Sequence, residues 1–491
     1  MTLDLIEKYL NSKIKCDPDI VKKLSLTYLS AYTSNPINVF ILGPSSEGKS
    51  YATVETSKIF PSEDIVLIGR MSPTALFHQN GFYIDKDGYD IQDSIDLLDG
   101  KIAEAKPKAE YEELERQKKD LLKDARICVD LKNKIIIFLD NPHPETYETL
   151  KPIMSHDSLE ITYQITKRDG SLGVKEAIIR NWPAFIFCSA KNEAKNEVWA
   201  EIKNRALMLS PNTDIKKYEE ANKLTGQKFG LPTCFKSLYD NTEDKERAKE
   251  DIIKLKERLN QLCCDGNNPV LNVFHEKISE LFPHNEGESM RHYTRFNSFV
   301  NLETLINSDN NPTYILEKDG EIIKSVFTTL KDIKNTIKTM GDITTIAPDK
   351  IKFMDKVFKP LLSEVLNSES GLTTRQLAEK YEMVNGRKAT PKQIQENYCN
   401  YLEDSGILSS DQEHSRAEKK YSIASSITLN SLENLISNLI EPSNAHESYL
   451  DSCLKTIETS SMQLGYLDSH YEYDNRIVSL EELKILLLDL S

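Results

Sequence analysis

An eight-residue loop, Gly43-Pro44-Ser45-Ser46-Glu47-Gly48-Lys49-Ser50, stands between the apolar run Val39-Phe40-Ile41-Leu42 and a helix-forming stretch from Ser50 to Phe60. It has the full spacing of a phosphate-binding P-loop, in the strand–loop–helix setting that such a loop requires. Gly43 and Gly48 let the backbone turn its N–H groups toward a β-phosphate, where the helix N-terminus adds positive dipole. Lys49 is placed to reach β- and γ-phosphates and Ser50 to ligate Mg²⁺, with Tyr51 directly behind them. The expectation is a nucleoside triphosphate bound at the edge of a buried sheet.

Further apolar runs supply that sheet. Ile65–Ile68 reads as a second strand, and Ile135–Phe138 as a third that runs on through Leu139 into Asp140. Asp140 is placed to hold the Mg²⁺ water shell beside Ser50. Residues 159–179 alternate as a hairpin around Lys167-Arg168-Asp169-Gly170, since Asp-Gly is a strong turn signal. Ala184–Cys188 is another buried strand. Strands alternating with helices imply a parallel α/β sheet across residues 37–212. Ahead of it, residues 1–36 show helical spacing, closed by Pro36. A charged helical insert is expected over 93–128. Residues 213–345 read as mostly helical, 346–424 as a third unit, and 425–491 as an acidic tail. The tail carries 11 acids against 3 bases, and its polar linkers suggest a small helical appendage or a docking peptide for a protein partner.

Composition sets the outer bounds. A chain of 491 residues holds roughly three domains. It has no uncharged apolar stretch of about 18 residues to span a membrane. The start, Met1-Thr2-Leu3-Asp4, lacks a signal-peptide pattern. Eight cysteines without a CxxC pair argue for reduced thiols and against structural zinc, so a cytoplasmic protein is expected. The net charge of −15 opposes nucleic-acid binding overall, but more than half of it lies in the tail, which leaves room for a basic face elsewhere.

Taken together, the Gly43–Ser50 loop, Ile135–Asp140, the hairpin 159–179, the strand ending Cys188-Ser189-Ala190-Lys191-Asn192, and Asn204–Leu209 resemble the AAA+ P-loop ATPases. Within them the likeness is to minichromosome-maintenance-type helicases and to viral or plasmid replication ATPases. The resemblance implies a parallel AAA+ core with a helical lid over 213–345, ATP and Mg²⁺ as cofactors, and a homo-oligomeric ring of the hexameric kind. It implies that Ser189 or Asn192 orients the attacking water, and that Arg205 reaches a neighbouring subunit's ATP as an arginine finger. Arg291 or Arg295 would be the second sensor in the lid. One position departs from the family pattern: Asp140 is followed by Asn141 where the family has Glu. Asn takes no proton, so either Glu145 or Glu148, one turn on, substitutes, or Asn141 positions the water passively.

Two segments are candidates for DNA. The hairpin tip, Lys167, Arg168 and Lys175, presents three positive groups that would face a ring's channel and track phosphates without reading sequence. Residues 346–424 read as a winged helix. Thr373 or Thr374 caps a short helix, and Pro391 opens a recognition helix with Ile394, Tyr398, Tyr401 and Leu402 facing inward. Wing strands follow around Leu408 and Lys420–Ile423. Arg387, Lys388, Lys392, Lys419 and Lys420 are its basic candidates, although acids equal bases in this stretch. The resulting expectation is an ATP-driven DNA-translocating ring, a replication helicase of a mobile element or virus acting on single-stranded or forked DNA. Two alternatives stand beside it: a loader or defence ATPase that does not unwind, and a nucleotide-gated DNA-binding switch.

Overall fold

The computed structural model describes residues 3–69, 81–105, 108–140, 142–156, 158, 160–166, 174–189, 205–238, 240–263, 268–281, 287–318, 320–340, 348–364, 371–404, 408–411, 419–423, 444–466 and 468–489. In its first half, nine strands build two sheets: β1 (Val39–Leu42), β2 (Ile65–Ile68), β3 (Gly81–Ile84), β4 (Arg126–Asp130), β5 (Ile135–Phe138), β6 (Glu160–Thr166), β7 (Val174–Arg180), β8 (Ala184–Ser189) and β9 (Leu207–Leu209).

Five of them form a parallel sheet in the order β2-β5-β8-β1-β9. Its inner strands β1, β5 and β8 are apolar almost throughout because both faces are covered. On one face, Phe187 stacks on Phe40 at 4.4 Å and on Phe138 at 5.0 Å, beneath Tyr147, Leu150 and Ile153 of helix Pro144–Ser155. On the other, Val39, Ile41, Ile137 and Ile186 pack with the N-terminal helices Asp4–Lys13 and Pro18–Ser30. Because all five strands run the same way, their carboxyl ends make one edge of the sheet and their amino ends the other. The P-loop leaves β1 at the carboxyl edge. At the amino edge stands Asn38, 4% exposed, with its side chain tying three segments together. Its amide nitrogen donates to the carbonyls of Met154 (3.1 Å) and Arg205 (3.3 Å), and its oxygen accepts from the Phe185 N–H (3.2 Å).

The second sheet runs β3-β4-β7-β6. The expected hairpin is the antiparallel β6–β7 pair, but it does not stand alone: β7 continues into β4 in parallel and β4 into β3. This corrects the helical insert expected over 93–128. Helices Gln92–Glu104 and Lys108–Leu122 are present, and then Arg126–Asp130 turns to strand. The reason is burial. Cys128 and Val129 are fully buried between strands, whereas helix Lys108–Leu122 buries no residue.

The second half holds β10 (Val270–Leu271), β11 (Thr313–Lys318), β12 (Glu321–Phe327), β13 (Leu372–Thr373), β14 (Leu408–Asp411), β15 (Lys420–Ile423), β16 (Asp468–Tyr473) and β17 (Arg476–Val478). Two corrections follow. The segment 213–345 is mostly helical as expected, but it also contributes β10, β11 and β12 to a sheet. That sheet, β10-β12-β11-β16-β17, is completed by the tail. The acidic tail is therefore neither a free docking peptide nor purely helical over its described residues. Tyr471 pairs with Tyr314 across β11–β16, their rings 5.1 Å apart. Leu450, Leu454, Leu483 and Leu487 of the flanking tail helices join the same core. Asp474 and Asn475, both at positive φ, make the tight turn that pairs β16 with β17. Leu429–Leu439, an apolar run of the same tail, lies outside the described residues.

The described residues between 348 and 423, the C-terminal unit, share a core of their own. Thr373 caps helix Thr374–Asn385 with a full capping box to Gln376, and Pro391 opens a helical run through Asp404. Ile394, Tyr401 and Leu402 are buried in it, and β13-β15-β14 closes one side. Among the described residues no helix is long and apolar enough to cross a membrane.

Two residues of the fold give direct tests. Removing the Asn38 side chain strands buried backbone groups of three segments, so Asn38→Ala should cost about 2–3 kcal/mol in urea unfolding. An unchanged midpoint would contradict this role. Glu303, on helix Gly287–Ile306, is 4% exposed with Oε1 lacking a hydrogen-bond partner. Burial, opposed by Lys22 and aided by Asp332 and Glu7, pushes its pKa up to about 7. The folded state thus holds a proton that the unfolded chain releases. The stability this group contributes is full below the unfolded pKa and is lost as pH rises through about 7. Glu303→Gln should therefore stabilise the protein at pH 8 by on the order of 2 kcal/mol and do much less at pH 5. Equal effects at both pH values would show that Glu303 does not carry the buried charge.

Candidate nucleotide site

The carboxyl edge gathers most of the residues expected to handle phosphate. Gly48 adopts φ +84° at the N-cap of helix Lys49–Ser57, a left-handed conformation that glycine takes without strain. Ser46, at φ +70°, is the other left-handed residue of the loop. Lys49 lies 8% exposed beneath it, its ammonium donating to the carbonyls of Gly43 (2.7 Å) and Pro44 (2.6 Å). Burial holds the Lys49 pKa below its ordinary value, with Cys188 and Glu47 opposing. Pro211 closes over the start of the loop. A Cβ on Gly43 would meet the Pro211 ring at 3.2 Å, so this position requires glycine's close approach.

The two expected metal-side residues are neighbours. The Ser50 hydroxyl lies 3.5 Å from the carbonyl of Leu139, and Asp140 follows at the exposed end of that strand. Ser189, 1% exposed, ends β8 directly beside Leu42, the last residue before the P-loop. β8 lies between β1 and β5, so Ser189 sits between the loop and the strand that carries Asp140. Glu145 is exposed in the first turn of helix Pro144–Ser155, where its N–H donates to His143 Nδ1 at 3.4 Å. Tyr51 is partly exposed, its hydroxyl accepting from Lys228 at 3.1 Å. Asn141 and Asn192 lie outside the described residues.

The three arginines lie elsewhere. Arg205 precedes β9 and Asn38 precedes β1, and these are amino ends of parallel strands. Arg205, Arg291 and Arg295 line one cavity of about 250 Å³ there, with Asn38, Ser155 and His156. Arg205 Nε donates to Ser155 Oγ at 2.7 Å. The full length of β1, about 13 Å at 3.3 Å per residue, separates this edge from the P-loop of the same chain.

Among the expected DNA residues, Lys167 and Arg168 lie outside the described residues, and Lys175 is in β7. Lys392 pairs with Glu396 at 3.8 Å and Lys419 with Glu403 at 2.9 Å, while Lys420 opens β15. Arg387 faces the P-loop: its Nη1 donates to Glu47 at 3.2 Å. Glu47, 5% exposed, also accepts from the Tyr218 hydroxyl at 2.6 Å. Lys217 donates to the Glu47 carbonyl at 3.1 Å and to Asp17 at 2.8 Å. Sequence reading missed Tyr218, Lys217 and Asp17. The one available signal was an acid, Glu47, inside a loop built to receive negative charge.

No family model matches the chain, and no curated protein matches it. Solved structures give weak likenesses. One is to SCCmec type IV Cch, described as an active helicase, at 12% identity over 86% of this chain and 70% of that one, with a TM-score of 0.30. Another is to the apo C-terminal region of NrS-1, at 12% identity over 86% and 75%, with a TM-score of 0.22. A third is to the ORC2 protein of Aeropyrum pernix with ADPNP and ADP, at 10% identity over 89% and 93%, with a TM-score of 0.20. Scores this low define neither a shared fold nor a shared activity.

Proposed function

We propose that this chain is an AAA+-type ATPase that works as a ring, coupling ATP hydrolysis to movement along DNA as a replication helicase of a mobile element or virus. The observation that carries the reading is the division of the sheet into two chemical edges. The P-loop, Ser50, Asp140 and Ser189 belong to the carboxyl edge, and Arg205, Arg291 and Arg295 gather at the amino edge. The two sets lie at opposite edges of the sheet, which in this reading leaves the arginines to a neighbouring copy's triphosphate. Two copies arranged head to tail would bring the sets together, and such heterologous contacts close into rings.

At the carboxyl edge, the N–H groups of the loop and of the helix after Gly48 are suited to a β-phosphate. Lys49 would exchange the carbonyls of Gly43 and Pro44 for phosphate oxygens. Ser50 and Asp140 fit the two protein positions of a Mg²⁺ site, and the ion would supply charge neutralisation between phosphates. Ser189 would orient the attacking water, with Glu145 the nearest acid in sequence after Asn141. Arg205 of the next copy would stabilise charge developing in the transition state, with Arg291 or Arg295 beside it. Lys167, Arg168 and Lys175 would track DNA phosphates from the hairpin. Residues 346–424 are read as a winged helix that contributes the remaining basic residues, Lys388, Lys392, Lys419 and Lys420.

Asn141 favours a second reading, a nucleotide-gated DNA-binding switch, since no acid follows Asp140 directly. Turnover separates the two. ATP hydrolysis should be measurable and rise severalfold with single-stranded DNA. Lys49→Ala should abolish nucleotide binding. Arg205→Ala should keep binding but lower turnover by about a thousandfold. Binding without turnover in the wild type would replace the motor with the switch, and normal turnover in Arg205→Ala would remove the finger.

A further inference from the structure

Glu47 is an acid placed where a triphosphate's negative charge must come. The loop that cradles phosphates works by offering N–H groups and a lysine, so a bare carboxylate there opposes binding. In this chain the side chain is covered, only 5% exposed. Tyr218 Oη donates to one oxygen at 2.6 Å, and Arg387 Nη1 donates to the other at 3.2 Å. Arg387 also lies 3.4 Å from the Tyr218 hydroxyl, which closes a three-membered network. Burial first, and then the bond to Glu47, hold the Tyr218 phenol above its ordinary range. That tyrosine therefore remains a donor.

The two cover residues come from different places. Tyr218 is on helix Ile215–Gly230, which follows the central sheet. Arg387 belongs to the C-terminal unit, almost 340 residues beyond the P-loop. It is delivered by Gly386, which ends helix Thr374–Asn385 at φ +64°. A Cβ on Gly386 would meet Ile215 Cδ1 at 3.0 Å, so the unit approaches helix Ile215–Gly230 closely at this point. A cavity of about 180 Å³ remains between the units, lined by Gly43, Pro44 and Glu47 on one side and by Arg387, Lys388 and Tyr398 on the other.

We propose that Arg387 is a positioning residue of the P-loop, acting through Glu47, so that docking of the C-terminal unit raises nucleotide affinity and bound nucleotide tightens the docking. This rests on the reading of the loop as a triphosphate site. With Arg387 in place, the charge of Glu47 is offset by the guanidinium. With the unit undocked, that charge is returned to the loop. Linkage makes the effect reciprocal, because the same coupling free energy appears in nucleotide affinity and in unit docking. The C-terminal unit is thereby told whether the site is filled.

The test is ATP affinity by calorimetry on full-length wild type, Arg387→Ala, Arg387→Lys, Glu47→Gln and Arg387→Ala with Glu47→Gln. Arg387 is half exposed, so its removal leaves the fold intact. Arg387→Ala should weaken ATP binding about tenfold, within the range typical of coupled sites, and Arg387→Lys should recover part of the loss. Glu47→Gln in the Arg387→Ala background should restore affinity to near wild type, because no charge is left to cancel. Hydrogen exchange over 374–404 should slow on adding ATP in wild type and not in Arg387→Ala. An Arg387→Ala affinity within twofold of wild type, or a defect that Glu47→Gln leaves in place, overturns the proposal. A wild-type chain that binds no ATP instead overturns the reading of the loop beneath it.

Discussion

Everything in the site depends on the five strands of the central sheet pointing the same way. Parallel pairing buries both faces, and that demand explains the near-continuous apolar sequence of β1, β5 and β8. The same demand leaves only the strand ends for chemistry. At the carboxyl ends the loops carry Lys49, Ser50, Asp140 and Ser189 into one neighbourhood. At the amino ends, Asn38 fastens β1, β8 and the close of helix Pro144–Ser155, and the arginine cavity forms around that fastening. The polarity of the sheet thus becomes a polarity of the molecule, with the P-loop on one side and the arginine cavity on the other.

Around this frame the chain adds further layers. The second sheet, β3-β4-β7-β6, shares a core with the Phe face of the central sheet through Val129, Ala177 and Ile179. On the opposite side, the tail closes the β10-β12-β11-β16-β17 sheet and packs with the N-terminal helices in one continuous core. The Glu47 network adds a link from the C-terminal unit. At the loop itself, the N-terminal Asp17, helix Ile215–Gly230 and the C-terminal unit meet through Lys217, Tyr218 and Arg387.

What could be read beforehand follows from how local each signal is. The P-loop and the strands on either side of it are written in contiguous residues, so glycine placement and apolar runs sufficed. The capping box at Thr373 and the Pro391 helix start are equally local, and both were legible. The β4 strand was not, because Arg126–Asp130 follows two highly charged helices and its partner, β7, lies about 50 residues on. The tail misled for a similar reason: its charge is on the surface, while Tyr471 and Val478 pair with a strand over 150 residues earlier or with each other. The Asp474-Asn475 turn was the overlooked clue. Site residues split the same way. The P-loop is a contiguous motif, whereas Tyr218, which meets Glu47 and Arg387, and Asp17, which accepts from Lys217 and the Asn212 N–H, carry no sequence pattern.

The claim on which the account stands is that a complete site needs two copies, each supplying a different edge. Mixing two variants tests it directly. Lys49→Ala lacks a working carboxyl edge but keeps its arginines, and Arg205→Ala has the converse defect. Each alone should be nearly inactive in ATP turnover, and the mixture should regain activity where an Arg205→Ala phosphate edge meets a Lys49→Ala arginine edge. Two variants that co-assemble without regaining any turnover would contradict the shared site.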